Sequence, residues 1–433
     1  MSHTRVGPNA IGVVACLFAI TTSPVRAWVV FGSGVALNAI AVDHVGNVLG
    51  AGSNFEVVKL ARDNGATLWK FQLNSDDRPD TEASGLAVDP AGDVVAVGSV
   101  HQGEIFGNRV DDFAVVKLSG ADGTERWRRV IDGVPGPYGP AHDGATSVAV
   151  EPDGDVIAAG FVDDGDARFA VIKFSGIDGA ERWRQFVHGF GCQGGAALAV
   201  ALDAAGDVIA GGFCRPSPES LALFKFGGAD GVERWRRVID INPLGGDYVE
   251  EVALDANGDV VAVGPSETDG VILKVAGQTG VELWRRTVPG MVGITDLEGL
   301  ALDSQGNALT AGRTSDVRRP DRFTVLKVAG TNGEILWTRT LGGHAFSSGE
   351  AHGIALDAQG NVVAVGTTAG RRSGEQFTLV NISAKNGHLR WHKRFDEGAC
   401  CGAGLVTIDG DENIIAGGRF EIARCNARGR CNK

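Results

Sequence analysis

Gly120–Gly133 reads GADGTERWRRVIDG, and this stretch decides the architecture. A glycine stands four residues before a tryptophan, and a short run of β-formers follows. The same spacing recurs at Trp69, Trp183, Trp235, Trp284, Trp337 and Trp391. Of the eight tryptophans, Trp28 alone lacks the preceding glycine. Tryptophan returning at intervals of 41 to 58 residues is the mark of a repeated β-module.

The residues ahead of Trp127 fill in that module. SGLAV (84–88) predicts a first strand, A, and the turn DPAGD (89–93) joins it to a second, B, at VVAV (94–97). A polar loop is expected over 99–112. FAVVKL (113–118) predicts strand C, and Ala121-Asp122-Gly123 is a tight turn that needs positive φ at its glycine. Strand D carries the tryptophan. The A–B turn recurs as DHVGN (43–47), EPDGD (151–155), DAAGD (203–207), DANGD (255–259), DSQGN (303–307), DAQGN (357–361) and DGDEN (409–413). Strand B ends in glycine eight times, at Gly52, Gly98, Gly160, Gly212, Gly264, Gly312, Gly366 and Gly418.

Eight four-stranded meanders without intervening helical segments predict an all-β, eight-bladed β-propeller of antiparallel blades. Both faces of strand A are apolar, as stacked sheets require. One column is small (Ala41, Ala87, Ala149, Ala201, Ala253, Ala301, Ala355, Thr407). Its neighbour is larger (Ile40, Leu86, Val148, Val200, Val252, Leu300, Ile354, Val406), which lets crowded inner strands interdigitate. The two ends complement each other. Trp28-Val-Val-Phe31 reads as a strand D without its A, B and C. LVTID (405–409), NIIAGG (413–418) and FEIARC (420–425) read as A, B and C without a D. The expectation is that the N-terminal strand completes the last blade and closes the ring, sparing it an open edge. The expected organisation is a propeller over 28–433 with a C-terminal tail at 426–433.

Residues 1–27 have the character of a secretory leader. Arg5 charges the start, Ala10–Ile20 is apolar, and Val25-Arg26-Ala27 suits a cleavage site. A lipoprotein box at Val13-Val14-Ala15-Cys16 is the alternative. An exported protein, periplasmic or secreted, is expected. The net charge is −13, and losing Arg5 and Arg26 with the leader leaves −15. That balance argues against nucleic acid as a partner. No apolar run is long enough to serve as a transmembrane anchor, and a monomer is expected.

The pattern (D/N)xxG(D/N)-VxVxG, FxVxK, (D/N)GxxxW over 28–425 resembles the bacterial β-propeller repeat known as SBBP. Its Gly-x-x-x-Trp element also resembles the tryptophan-docking repeat of quinoprotein (PQQ-like) propellers. That resemblance implies that each tryptophan packs on the neighbouring blade's turn and belts the ring together. It implies a fold, and no reaction follows from a fold alone.

Strand direction places the short A–B and C–D turns on one rim and the variable B–C loops and D–A connectors on the other. Both tyrosines, Tyr138 and Tyr248, fall in D–A connectors, as do His142, His188 and His344. Variable loops on a rigid scaffold are where binding concentrates. Two positions before the larger column, strand A begins with Asn38, Ser84, Thr146, Leu198, Glu250, Glu298, His352 and Gly404. Glu250, Glu298 and His352 fall on consecutive blades, with Glu251, Asp296 and Glu350 close by in sequence. Such a group suits a divalent cation or acid–base work, and a solvated acidic rim is the plainer reading. The recurring Asp-x-x-Gly-Asp/Asn turns need no calcium, because aspartate capping its own turn accounts for them. Strand C repeats a lysine at Lys59, Lys117, Lys173, Lys225, Lys274 and Lys327, as a structural residue would.

Six cysteines remain after the leader, an even number in an exported chain. Cys192 is expected to pair with Cys214, and Cys400 and Cys401 with Cys425 and Cys431. A vicinal Cys400–Cys401 disulfide is what the quinoprotein alcohol dehydrogenase resemblance implies instead. There is no G-x-S-x-G, Walker, CxxC or HExxH motif, and no catalytic or metal residue is assigned. The reading is a binding scaffold for a protein or carbohydrate ligand, with no cofactor required. The alternative is an enzyme at the channel mouth, either quinoprotein-like with PQQ or a metal-assisted, polysaccharide-active one using a divalent cation.

Overall fold

The computed structural model describes residues 28–431 apart from 32–35, 74–80, 106–107, 135–141, 164, 166, 190, 216–218, 242–245, 268, 290–294, 317–318, 342–347, 370–374, 396–402 and 419–420. The leader reading for 1–27, Tyr138, His344, Cys400 and Cys401 lie outside the described residues.

Among the described residues, 32 strands form eight four-stranded antiparallel sheets. Blades one to seven span 37–72, 82–131, 144–187, 194–239, 251–288, 295–341 and 349–395, each hydrogen-bonded in chain order. Blade eight contains Ala403–Ile408, Ile414–Gly418 and Glu421–Cys425, with Trp28–Phe31 on its outer side. There, Trp28 lies opposite Arg424 and Phe31 opposite Glu421. Strand A of each blade touches strand A of the blades on both sides, and blade eight touches blade one. No helix among the described residues is long and apolar enough to cross a membrane.

The core lies between blades. Leu37, Ile40, Val48 and Val58 of blade one share one cluster with Leu405, Ile415 and Ile422 of blade eight. The larger column of strand A is buried, with Ile40, Ile354 and Val406 almost wholly excluded from solvent.

The Gly-x-x-x-Trp motif is a hydrogen-bonded joint between blades. Trp69 Nε1 donates to Gly120 O of the next blade at 3.2 Å. Trp127 does the same to Gly176 O, Trp183 to Gly228 O, Trp235 to Gly277 O, Trp284 to Gly330 O and Trp337 to Ala384 O. A Cβ on Gly123, whose φ is +74°, would sit 2.7 Å from the Trp69 indole, and one on Gly120 would sit 1.7 Å from Gly92 O. Gly123 therefore keeps a side chain out of the docking surface, and Gly120 lets its own blade's A–B turn approach.

The lysine of strand C serves the same joint. Lys59 Nζ donates to Gly120 O at 2.6 Å and pairs with Asp43 at 2.8 Å. Lys117, Lys173, Lys225, Lys274 and Lys327 likewise pair with the first carboxylate of their own A–B turn and reach the next blade's turn carbonyl. In that turn Asp43 Oδ1 also accepts the Val45 and Asn47 amides. The turn carboxylates are thus occupied by amides and an ammonium, which is not a calcium donor set.

Two expectations are corrected and one holds. The polar stretch 99–112 is not a loop: Val94–Ile105 and Asn108–Leu118 stay paired as a long hairpin to Ile105↔Asn108. Cys192 is bonded to Cys214, stapling connector to strand B with Cα atoms 4.7 Å apart. Cys425 is bonded to Cys431, not to Cys400 or Cys401. The reason lies in the tail, where Asn426–Gly429 is an eighth docking turn. Gly429 N donates to Asn426 O, and Asn426 N to Arg430 O. This reversal brings Cys431 back beside Cys425, with Cα atoms 4.3 Å apart. Gly429, at φ +69°, lies against Trp391 as Gly123 lies against Trp69.

Candidate functional site

One irregularity recurs at the start of strand A. The ladder to strand B slips between Leu37 and Ala39, Ala83 and Gly85, Ala145 and Ser147, Ala197 and Ala199, Leu297 and Gly299, Ala351 and Gly353, and Ala403 and Leu405. In blade five Glu250 N donates to Val263 O while Glu251 is the register partner of Val263. In those seven blades the residue skipped is the variable mouth position, and in blade five Glu250 holds the equivalent place just ahead of the ladder. A β-bulge re-aims that one side chain. It also explains the glycine that ends strand B, since a Cβ on Gly98 would fall 1.8 Å from Glu82 O and one on Gly312 1.9 Å from Asp296 O.

Released from the ladder, bulge side chains reach the neighbouring blade. Asn38 Nδ2 donates to Glu82 Oε1 at 2.6 Å, and Thr146 Oγ1 to Ala197 O at 2.7 Å. His352 Nδ1 lies 2.7 Å from Glu298 Oε2, and its Nε2 lies 3.9 Å from Glu350 Oε2. Glu298, Glu350 and His352 place one ligand-type atom each within 4.8 Å of one another. Blade six adds Arg313, on strand B opposite Asp296. Its guanidinium lies 3.4 Å from Asp296, 3.5 Å from Glu350 and 3.7 Å from Asp321. Arg313 escaped the sequence reading. The sequence signal is weak: Arg313 follows Gly312 at a position filled by Ser53, Ser99, Phe161, Phe213, Pro265 and Thr367 in other blades, and by Arg419 in blade eight.

Burial and crowding set the charges. Burial, and then the Glu298 charge, push Asp296 up to about 6. Burial also raises Glu350, against the pull of His352 and Arg313. Burial by itself would lower His352, but its hydrogen bond to Glu298 and the charges of Glu298 and Glu350 raise it above the ordinary histidine value. Tyr248 stands near these carboxylates: burial first, then Asp296, Glu250 and Glu298, hold its phenol well above the usual range. Tyr248, Glu250, Glu298 and His352 therefore come together at one mouth on blades five to seven. His142 sits instead 3.8 Å from Asp111, which His101 also approaches at 3.3 Å, and His188, just past its blade's outer strand, bonds Phe186 O of that strand.

Two other acidic groups have structural duties. Asp143 accepts the Gly133 and Asp163 amides, fastening a D–A connector. Its burial raises its pKa to about 6, against the lowering effect of those amides. Glu151 pairs with Lys173 at 2.6 Å.

The family model described as "Outer membrane protein assembly factor BamB" matches residues 53–299. Comparison with curated proteins found no match. Among solved structures the chain is similar to BamB from Moraxella catarrhalis, with 12% identity, 94% of this chain and 99% of that chain covered and a TM-score of 0.56. It is similar to Sqt1 of Saccharomyces cerevisiae at 11% identity, 94% and 98% coverage and a TM-score of 0.61. The quinohemoprotein alcohol dehydrogenase ADHIIG from Pseudomonas putida HK5 gives 13% identity, 94% and 76% coverage and a TM-score of 0.58. At such identities these structures speak for the propeller fold alone. The family model, in contrast, covers more than half of the sequence, across repeats whose tryptophans dock as described, and the chain belongs to the BamB family of propeller repeat proteins.

Proposed function

We propose that the chain is an exported binding scaffold that uses its rim of B–C hairpins and D–A connectors, and receives a cationic group of its partner at the acidic mouth of blades five to seven. One observation supports the reading: the strand-A mouths of three successive blades place Glu250, Glu298 and His352 near Tyr248, Asp296 and Glu350, with bulges at Glu298 and His352. Carboxylates outnumber the cations there, so a lysine, arginine or amine meets complementary charge. The family's description as an assembly factor supports a protein partner over a carbohydrate. The disulfides and the family support a location outside the cytoplasm.

The resident groups of the enzyme reading fit this mouth poorly. A histidine must be neutral to ligate a metal, yet His352 is biased towards its protonated form by Glu298. Arg313 already stands beside Glu350 as a cation. PQQ is a polycarboxylate, and this carboxylate-rich mouth repels it. No reaction step is derived through either group.

Calorimetric titration with poly-lysine tests the reading. The Glu250→Gln/Glu298→Gln variant should bind about tenfold more weakly or worse. Binding by the unaltered protein should fall as the pH drops through about 6 and Asp296 gains its proton. Equal affinity in the variant, or sensitivity only to alanine blocks at the A–B turns, would end the proposal.

A further inference from the structure

The outer strands of the blades serve as controls for one another. In blades two to five the strand-D glutamate pairs with the arginine three residues on: Glu125 with Arg128, Glu181 with Arg184, Glu233 with Arg236 and Glu282 with Arg285. Each pair neutralises one arginine of its exposed edge. Blades one, six and seven lack this glutamate, with Thr67, Ile335 and Leu389 in its place, and among these three blade seven carries the most cations. Its outer strand, Leu389–Phe395, reads LRWHKRF, with Leu389 where the glutamate should be. Arg390, His392, Lys393 and Arg394 are all exposed. The position of Arg394 holds Val130, Phe186, Val238, Thr287 and Thr340 in blades two to six.

The docking turn of blade eight enlarges this surface. Gly429 packs on Trp391, which sets the exposed Arg428 and Arg430 beside the same strand. Among the described residues, the ion pair made by this group is Arg390 with Asp357, at 3.9 Å. A chain of net charge −13 therefore concentrates unneutralised cations on one edge. That edge is the last strand of its sheet, so its outward N–H and C=O groups have no ladder partner among the described residues.

We infer that the outer edge of blade seven is a docking site for an acidic, extended peptide segment that adds to the sheet as a further strand. Edge addition supplies main-chain hydrogen bonds, and alternate side chains supply specificity. Past the local slip at Arg390, His392 and Arg394 face one side of the sheet, and Trp391, Lys393 and Phe395 the other. An added strand that alternates acidic and apolar residues matches this: carboxylates oppose His392 and Arg394, and apolar side chains lie along Trp391 and Phe395. Opposed charges across neighbouring strands stabilise such a pairing. The two-sided display around an open main-chain edge favours a strand over an anionic lipid surface, which would meet one side only. This wall is distinct from the acidic mouth, so the two proposals stand or fall separately.

The probe is a fluorescein-labelled peptide of alternating Glu and Val, followed by anisotropy on the full chain. The unaltered protein should bind it, and added salt should weaken binding, because the charges are exposed. Lys393→Glu/Arg394→Glu should weaken binding by about tenfold or more, with circular dichroism unchanged. Arg236→Glu, on the guarded edge of blade four, should bind as the unaltered protein does. A peptide N-methylated along one edge of its backbone should bind less well, as strand addition requires. Unchanged affinity in the double variant, or full binding by the N-methylated peptide, overturns the proposal. So does retention of phosphatidylglycerol vesicles through Lys393 and Arg394 when the peptide itself does not bind.

Discussion

At His352 two effects oppose each other on a single ring. Burial disfavours the imidazolium, and the Glu298 carboxylate at 2.7 Å favours it and prevails. The folded-state value thus lies above the unfolded one. The stabilisation is complete below the ordinary histidine value and is lost as pH rises through the raised, folded one. Glu298→Gln should therefore lower the His352 titration point in proton NMR. It should also cost about 1–2 kcal/mol in urea unfolding at mildly acidic pH, with the gap closing at alkaline pH. An unshifted His352 titration would show that Glu298 does not set it. Asp296 runs the other way: its raised value means that ionising it destabilises the fold as pH climbs towards and through about 6. The sequence placed Glu250, Glu298 and His352 in one column because the repeats align. It could not show Arg313 among them, since that contact depends on register between strands A and B.

The docking joint explains why so much of each blade was legible as an element. Gly123, Trp127 and Lys117 recur because a single carbonyl, such as Gly176 O, accepts both the Trp127 and Lys117 donors across the blade boundary. Gly179 and Gly154 separate steric from conformational demand. At Gly154, whose φ is +93°, an added Cβ would meet nothing within 4 Å, whereas a Cβ on Gly179, at φ +70°, would lie 2.7 Å from the Trp127 ring. Gly154→Ala should cost about 1–2 kcal/mol, the penalty of a left-handed backbone. Gly179→Ala should cost about 1–3 kcal/mol more, because Trp127 must also give way. Thermal melts and tryptophan emission would check this, and equal losses would contradict the joint. The Val94–Ile105 hairpin was less legible. Past Gly98 its residues include His101, Gln102 and Glu104, which lack the apolar alternation that marks a strand with one buried face. The tail was misjudged for a related reason: Asn426–Gly429 has no tryptophan after it, so its kinship to the other turns shows only in its contact with Trp391.

In the whole molecule the seam between blades eight and one differs from the other joints. Arg424 takes the place of the strand-C lysine, is fully buried and pairs with Asp409. Its Nη1 donates to Gly46 O at 3.0 Å and to Arg62 O at 2.8 Å, both on blade one. A planar guanidinium fork can hold a carboxylate and two carbonyls together, which an ammonium at the same place does less well. Arg424→Lys should therefore destabilise the protein by about 1–3 kcal/mol through an unsatisfied buried carbonyl, read by chemical unfolding. The converse swap in blade two, Lys117→Arg, should also destabilise it, because that joint is shaped for a single ammonium donor. The bulges at the mouth carry a different consequence. Asn, Ser, Thr, Leu, Glu, Glu, His and Gly occupy equivalent places on one scaffold, so the fold accommodates very different residues there, even where neighbours such as Glu298 and His352 are bonded to each other. Heritable change can accumulate there blade by blade, and these eight letters can be rewritten towards a new ligand while the ring that displays them stays the same.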